Sequence, residues 1–123
     1  MRILICGTRS LPTGGAERMR QAVDVFARVY QPGYGILMHG DCVGVDREAA
    51  KIAEARGWDV VAYPADWDRH GRSAGPLRNQ RMIDDGRPQY WIAFHTDPDL
   101  GRGTRDMVRR LRLAGVPGRV VLL

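Results

Sequence analysis

The sequence predicts an α/β fold in which a doubly wound, mostly parallel sheet of five strands carries helices on both faces. Five short apolar runs alternate with segments of helical hydrophobic spacing along the 123 residues. Most of these runs are apolar nearly throughout, which is typical of parallel strands buried on both faces. Strict alternation of strands and helices also predicts right-handed crossovers between them.

The predicted strands are rich in isoleucine, valine, leucine and aromatic residues. In order, they are Ile3–Cys6, Tyr34–Met38, Val60–Tyr63, Tyr90–Phe94 and Val120–Leu123. The predicted helices begin at about Ala16, Gly44, Gly75 and Thr104. Gly57 and Gly115 are expected to end the second and fourth helices, because glycine readily adopts the left-handed conformation found there. With no internal repeat or linker, residues 1–123 are predicted to form one domain.

The composition is that of an ordinary soluble protein, with 44% hydrophobic and 27% charged residues. No apolar run approaches the ~18 residues of a membrane span, and the N-terminus lacks the features of a signal peptide. A cytoplasmic protein with no membrane partner is therefore expected. Cys6 and Cys42 are predicted to be free thiols, either small buried hydrophobes or a redox pair.

The net charge of +5 is compatible with a nucleic-acid partner. However, the arginines are spread along the sequence without a block of basic residues or many interleaved aromatics. Nucleic acid is thus a possible partner that the sequence does not favour.

Candidate binding residues follow the apolar runs. In doubly wound sheets, ligands bind outside the carboxyl ends of the strands, so the loops after the first four strands should meet at one edge. These loops are rich in glycine, histidine, aspartate and arginine. The predicted ligand-binding residues are Gly7, Thr8, Arg9, His39, Gly40, Gly44, Asp46, Asp66, Trp67, His70, Gly75, Arg78, Asn79, Gly101, Gly103 and Thr104.

Two of these loops suggest phosphate binding. Gly7 would let a ligand approach the backbone, and Arg9 either pairs with a phosphate or is a solvated arginine in a tight turn. The segment Gly101-Arg102-Gly103-Thr104 precedes a predicted helix, as in phosphate cradles, or is a flexible turn with a threonine cap. Neither loop contains a complete dinucleotide or P-loop motif.

The other two loops carry groups for hydrogen bonding, stacking and proton transfer. Asp46 either stabilises the first turn of a helix or accepts from a ribose hydroxyl, and His39 is an acid/base or a polar strand end. The third loop is long enough to indicate function. In it, Trp67 either stacks on a base or covers the core, and Arg78 is expected to face the ligand.

No metal or cofactor is predicted. His39, His70 and His95 all fall on the expected ligand edge, but they lack the local spacing of metal ligands, and there is no CxxC motif.

Taken together, the motifs of this sequence resemble the SLOG superfamily, a group of Rossmann-like proteins found in bacteria and their phages. The superfamily also contains LOG-type phosphoribohydrolases and DprA/Smf-type DNA-processing proteins. The resemblance implies a Rossmann-like fold and a ligand such as a nucleotide or ADP-ribose. The motifs are Gly7-Thr8-Arg9, His39-Gly40-x-x-x-Gly44-x-Asp46-Arg47, Pro64-Ala65-Asp66-Trp67-x-x-His70-Gly71, Ala74-Gly75-Pro76-x-Arg78-Asn79-x-x-Met82 and Gly101-x-Gly103-Thr104.

The sequence departs from the hydrolase motifs at two positions. Asn79 replaces the lysine of the R-K-x-x-M pattern, and Met107 stands where the hydrolases carry an essential glutamate. Asp106 comes one position earlier, which on a helix is expected to turn it ~100° away. Asp46 or Asp66 remains as a possible substitute.

The leading hypothesis is binding or sensing of a nucleotide-derived ligand such as AMP, ADP-ribose or an NAD-like molecule. The alternative is a nucleotide N-glycosidase, with Arg78, Asp46 and His39 as the candidate catalytic residues. A second alternative is single-stranded nucleic-acid binding. Assembly into a homo-oligomer stays open.

Overall fold

The computed structural model describes residues 1–30 and 33–123, and it confirms the predicted fold class. Five strands form one sheet in the order β3-β2-β1-β4-β5, and every neighbouring pair is parallel. A 3₁₀ turn, Gly71–Ser73, joins α3 to α4. The elements are β1 (Arg2–Gly7), α1 (Gly15–Tyr30), β2 (Ile36–His39), α2 (Val45–Ala55), β3 (Asp59–Ala62), α3 (Trp67–His70), α4 (Ala74–Asp84), β4 (Tyr90–His95), α5 (Gly101–Leu113) and β5 (Gly118–Leu122).

Two hydrophobic clusters, one on each face of the sheet, hold the layers together. On one face, Ile5 and Phe94 pack against α1 and α2 through residues such as Val23 and Ala49. On the other face, Leu4 and Ala93 pack against α4 and α5. The central strands β1 and β4 are therefore buried from both sides, which explains why their sequences are almost wholly apolar.

The strand order reverses at β1, which pairs with β2 on one side and with β4 on the other. The chain passes very close to β4 there, since the Thr8 N–H donates to the Phe94 carbonyl oxygen at 2.9 Å. A Cβ on Gly7 would lie only 2.0 Å from that oxygen, so the end of β1 requires glycine. This reversal opens a crevice at the carboxyl ends of β1 and β4.

The expectation that the strands are buried on both faces is wrong for the two edge strands. Val61 in β3 is 39% exposed and Leu122 in β5 is 52% exposed. Apolar composition alone does not distinguish an edge strand from a central one, because strand order depends on the crossovers. The second strand also begins at Ile36 rather than Tyr34.

The last helix begins earlier than expected, at Gly101 instead of Thr104. Leu100 and Gly101 both have positive φ, at 70° and 63°, and the helix starts directly from this bend. The segment Gly101–Thr104 is therefore the first turn of α5 and not a loop before it. The predicted helix ends at Gly57 and Gly115 are confirmed, each with φ of 75°.

Among the described residues, no helix has both the length and the apolar character needed to cross a bilayer.

Candidate functional site

A cavity of about 840 Å³ lies at the carboxyl ends of the strands, between the loop after β1 and the first turns of α4 and α5. This volume falls within the range of small-molecule sites, which are roughly 300–1,000 Å³. Many of the predicted binding residues meet on its wall. These are Gly7, Thr8, Arg9, Gly40, Asp46, Trp67, Gly75, Arg78, Asn79, Gly101, Gly103 and Thr104.

Four predicted binding residues are not on the cavity wall. His39 is buried, and its Nδ1 accepts from the Asp41 N–H at 2.9 Å. Gly44 packs against the backbone of Thr8 and Arg9, where a Cβ would lie 2.5 Å from the Thr8 carbonyl oxygen. Asp66 caps α3 by accepting from the Arg69 N–H at 3.2 Å, and His70 ends the same helix in an exposed position. These four residues shape the surrounding loops and do not line the cavity.

Trp67 lies on the cavity wall and outside both hydrophobic clusters. Its side chain is 50% exposed. Its indole ring lies over Gly75 at the start of α4. A Cβ placed on Gly75 would be 3.3 Å from the ring. The interpretation of Trp67 as a cover for the core is therefore wrong.

Asp46 organises the loop between β2 and α2. Its Oδ2 accepts from the N–H groups of Gly40 at 3.0 Å and Cys42 at 3.2 Å. Burial raises the pKa of Asp46 to about 6, although the Cys42 N–H, the Arg78 guanidinium and the Gly40 N–H all favour the ionised form. The cavity thus contains a carboxyl group that changes charge near neutral pH.

The two cysteines are free thiols, and both lie on the cavity wall. Cys6 is buried, and that burial raises the pKa of its thiol well above the ordinary value. Cys6 therefore behaves as a small neutral hydrophobe, whereas Cys42 is only partly buried.

Arg78 bridges the loops after β2 and β3 from the fifth position of α4. Its Nη1 donates to the carbonyl oxygens of Gly40 and, at 3.4 Å, Tyr63. Its Nε donates to Asn79 Oδ1 at 2.9 Å. Its Nη2 makes no hydrogen bond to any of the described residues, so part of the guanidinium is left for a ligand.

Asp106 also lies on the cavity wall, about 100° around α5 from Met107, the position of the hydrolase glutamate. The cavity extends into the groove between α4 and α5, where Asn79 Nδ2 donates to Asp106 Oδ2 at 3.0 Å. Arg110 Nε donates to the same oxygen at 2.8 Å. Partial burial alone would raise the pKa of Asp106, but the hydrogen bonds from Arg110 and Asn79 outweigh it, and the pKa is lowered. Asp106 is thus an ionised carboxylate that joins the two helices.

The amino-terminal half of the chain matches a known family. The YspA, cpYpsA-related SLOG family (YAcAr) matches residues 1–70, more than half of the chain. The chain belongs to this family. The gene 61 protein of Mycobacterium phage D29 is similar to it, at 35% identity over 97 residues that cover 72% of this chain and 74% of that protein. No solved structure matches the chain.

Membership of the SLOG family confirms the resemblance seen in the motifs and is consistent with a nucleotide-related function. The matched segment runs from β1 through α3 and so includes the first two loops and Trp67. The first turns of α4 and α5, which complete the cavity of this SLOG chain, lie beyond that segment.

Several residues that were not among the predicted binding residues also line the cavity. Two of them could have been predicted from their positions in the sequence. Arg102 lies between Gly101 and Gly103, and His95 is the last residue of β4. His95 Nδ1 accepts from the Asp97 N–H at 3.0 Å, and its Nε2 lies 3.2 Å from where a Gly101 Cβ would be. The remaining wall residues are cysteines, apolar residues or a loop arginine and were not predicted to bind a ligand, although Pro76, Met82 and Met107 stand at positions of the family motifs. They are Cys6, Cys42, Arg72, Pro76, Met82, Leu100 and Met107.

Positive charge dominates the cavity of this SLOG-family protein. Arg9, Arg72 and Arg102 are exposed on its wall, and none of them forms an ion pair with a residue that the structure describes. Of the two acidic residues on the wall, Asp106 is already paired with arginines of α5. The arrangement therefore suits an anionic ligand.

Over residues 1–30 and 33–123, no group of three or more histidine, cysteine, aspartate or glutamate side chains is arranged to hold a metal ion.

Proposed function

We propose that the cavity binds a nucleotide or nucleotide-derived ligand, such as AMP, ADP-ribose or an NAD-like molecule, in a binding or sensing role. The observation that carries this proposal is the set of arginines around a cavity of about 840 Å³ that have no carboxylate partner among the described residues. The cavity's position at the reversal of strand order supports the proposal, because ligands of doubly wound sheets bind there.

The phosphates of the ligand would bind at the first turn of α5. The N–H groups of a first helical turn have no partner within the helix, and the helix dipole favours negative charge there. Gly101 and Gly103 carry no side chain that would block the approach. Arg102 and Arg9 would pair with phosphate oxygens, to which a guanidinium can donate two parallel hydrogen bonds.

The base and the ribose would occupy the side of the cavity near α3 and α2. Trp67 is half-exposed on that wall and offers a face for base stacking. Asp46 would accept a hydrogen bond from a ribose hydroxyl. With a pKa of about 6, its carboxyl group is mostly ionised at pH 7 and so acts as an acceptor.

Calorimetric titration with AMP, ADP-ribose, NAD and cyclic AMP tests this proposal. Saturable binding of at least one of these compounds is expected. Adenosine, which lacks the phosphate, should bind at least about tenfold more weakly than AMP, since charged hydrogen bonds contribute roughly 1.5–3 kcal/mol each. Folded protein that binds none of the four compounds would contradict the proposal.

Replacing Trp67 with alanine should weaken ADP-ribose binding by about tenfold. Stacking of a base on an aromatic side chain is worth roughly 1–3 kcal/mol. Because Trp67 is 50% exposed and belongs to neither hydrophobic cluster, the melting temperature should change little. Calorimetry and a thermal melt check the two effects separately. Trp67→Phe is the matched control and should keep most of the affinity; equal loss in both variants would argue against stacking.

A second candidate function is hydrolysis of the N-glycosidic bond of a nucleotide. The observation that favours it is the Asp46 carboxyl, which lines the cavity and has a pKa of about 6. In this reaction, water would bond to C1′ of the ribose as the C1′–N bond breaks. Asp46 would take the proton of the water, and the base would leave with a proton from solvent. His39 is not on the wall and has no role in this candidate.

Chromatographic detection of free adenine from AMP tests the hydrolase candidate. Asp46→Asn should abolish the release while ADP-ribose still binds. Release that survives in Asp46→Asn would rule out this role for Asp46.

A further inference from the structure

A strip of arginines runs along α5 and away from the cavity. Arg102, Arg105, Arg109 and Arg112 follow one another at intervals of three, four and three residues. At about 100° per residue, they fall within an arc of about 80°, and the strip is about 15 Å long. All four residues are exposed, whereas the opposite side of α5 is buried against the sheet through Met107, Val108 and Leu111. We call these four residues the arginine strip.

Little negative charge opposes the arginine strip. α5 has five arginines and a single acidic residue, Asp106. Arg109 Nη2 lies 3.2 Å from Asp106 Oδ1, but the same carboxylate also pairs with Arg110. Arg102 and Arg105 form no ion pair with any residue in the described ranges. The Arg112 guanidinium lies 5.6 Å from the centroid of the Trp91 ring, a contact that uses its face and leaves its N–H groups available.

The strip is continuous with the cavity, because Arg102 belongs to both. A polyanion that follows the strip would therefore reach the opening of the cavity at its Arg102 end. We propose that the arginine strip binds the phosphate backbone of a single-stranded nucleic acid whose terminal nucleotide occupies the cavity. This inference rests on the proposed function of the cavity. A single strand fits better than a duplex, since a terminal base that enters the cavity must be unpaired.

Fluorescence anisotropy with an internally labelled single-stranded octanucleotide, as DNA and as RNA, tests the inference over a range of salt concentrations. The double variant Arg105→Ala/Arg109→Ala removes two charges of the strip and no cavity residue. Single strands give a salt slope of about −0.7 per phosphate contact, so the slope should become shallower by about 1.4. The affinity at low salt should fall at least fivefold, while AMP binding measured by calorimetry should stay the same.

The matched control is Arg18→Ala/Arg28→Ala, which removes the same charge from exposed positions of α1, on the opposite face of the sheet. It should leave both the slope and the affinity close to those of the native protein. Equal weakening in the two double variants would overturn the inference. So would binding of the octanucleotide no tighter than that of AMP.

Two further ligands test the partner class. A closed hairpin duplex without a free single-stranded end, and poly-glutamate of matching charge, should both bind at least about fivefold more weakly than the octanucleotide. If the hairpin binds as tightly as the octanucleotide, the cavity does not hold a strand end. If poly-glutamate binds as tightly, the strip does not select nucleic acid. If AMP does not bind and the octanucleotide still depends on the strip, the proposed function of the cavity fails. The strip then remains a backbone-binding surface without an inserted nucleotide.

Discussion

Replacing Arg9 and Arg102 together with alanine is expected to weaken ADP-ribose binding by about a hundredfold or more. Both side chains lie on the cavity wall without an ion-pair partner among the described residues, so a bound phosphate would be their main contact. A hydrogen bond to a charged group contributes roughly 1.5–3 kcal/mol, and each 1.4 kcal/mol changes a dissociation constant about tenfold. Because both residues are exposed, the melting temperature should change little. Calorimetry measures the affinity.

Two controls make this result specific. The double variant Arg9→Lys/Arg102→Lys keeps the charge, but lysine cannot donate two parallel hydrogen bonds. Its affinity for ADP-ribose should therefore lie between those of the native protein and the double alanine variant. Arg18→Ala/Arg28→Ala removes the same charge from exposed residues of α1 that do not line the cavity, and should have little effect. An alanine pair at positions 9 and 102 that binds ADP-ribose as tightly as the native protein would exclude these residues from the phosphate site.

Asp46 is expected to make the native fold less stable as the pH rises from about 4 to about 7. Its pKa is raised by burial from 3.8 to about 6, so the folded chain holds this proton more tightly than the unfolded chain does. The resulting stability is fully present below the unfolded pKa and is lost as the pH rises through the folded one. Each tenfold difference in proton affinity between the two states corresponds to about 1.4 kcal/mol, so the full loss is about 3 kcal/mol, of which about 2.4 kcal/mol falls between pH 4 and pH 7.

Urea unfolding of the native protein and of Asp46→Asn across this pH range measures the effect. The difference in free energy of unfolding, native minus variant, should fall by about 2.4 kcal/mol between pH 4 and pH 7, because asparagine does not titrate. Thr13→Ser, at an exposed position, is the control that changes no titratable group and should show a nearly constant difference. If the difference for Asp46→Asn is also independent of pH, burial does not raise the pKa of Asp46.

The alternation of apolar runs and helical spacing was enough to predict the fold class. Parallel strands buried on both faces leave a strong signal, and β1 and β4 follow it closely. The apolar runs could not predict the strand order, because β3 and β5 also contain such runs although they lie at the edges of the sheet. Their exposure follows from the crossovers, which local sequence does not encode.

The start of α5 was misplaced because its signal is a bend of the backbone. Leu100 adopts a φ of 70°, and leucine at such a position gives no indication of a helix start. The two glycines and Thr104 suggested a loop followed by a cap. In the structure they form the first helical turn, which puts the unpaired N–H groups of that turn at the cavity.

The site was predicted best where the residues lie at or just after the end of a strand. Gly7, Arg9 and Gly40 are such residues, and all of them lie on the cavity wall. His39 and Asp66 also had suitable positions, yet both are used in local hydrogen bonds that hold the loops. Asp106 was not among the predicted binding residues, because helical geometry turns it ~100° from the glutamate position at Met107. Its environment depends on the packing of α4 against α5, where Asn79 meets it across the groove.

A crystal structure of the protein with bound ADP-ribose tests the proposed function most directly. We expect phosphate oxygens about 3 Å from the N–H groups of the first turn of α5 and from the Arg102 guanidinium, with the adenine ring over Trp67. The ribose hydroxyls should lie within hydrogen-bond distance of Asp46. A ligand bound outside the cavity, or with its phosphates away from α5 and its arginines, would contradict the proposed function.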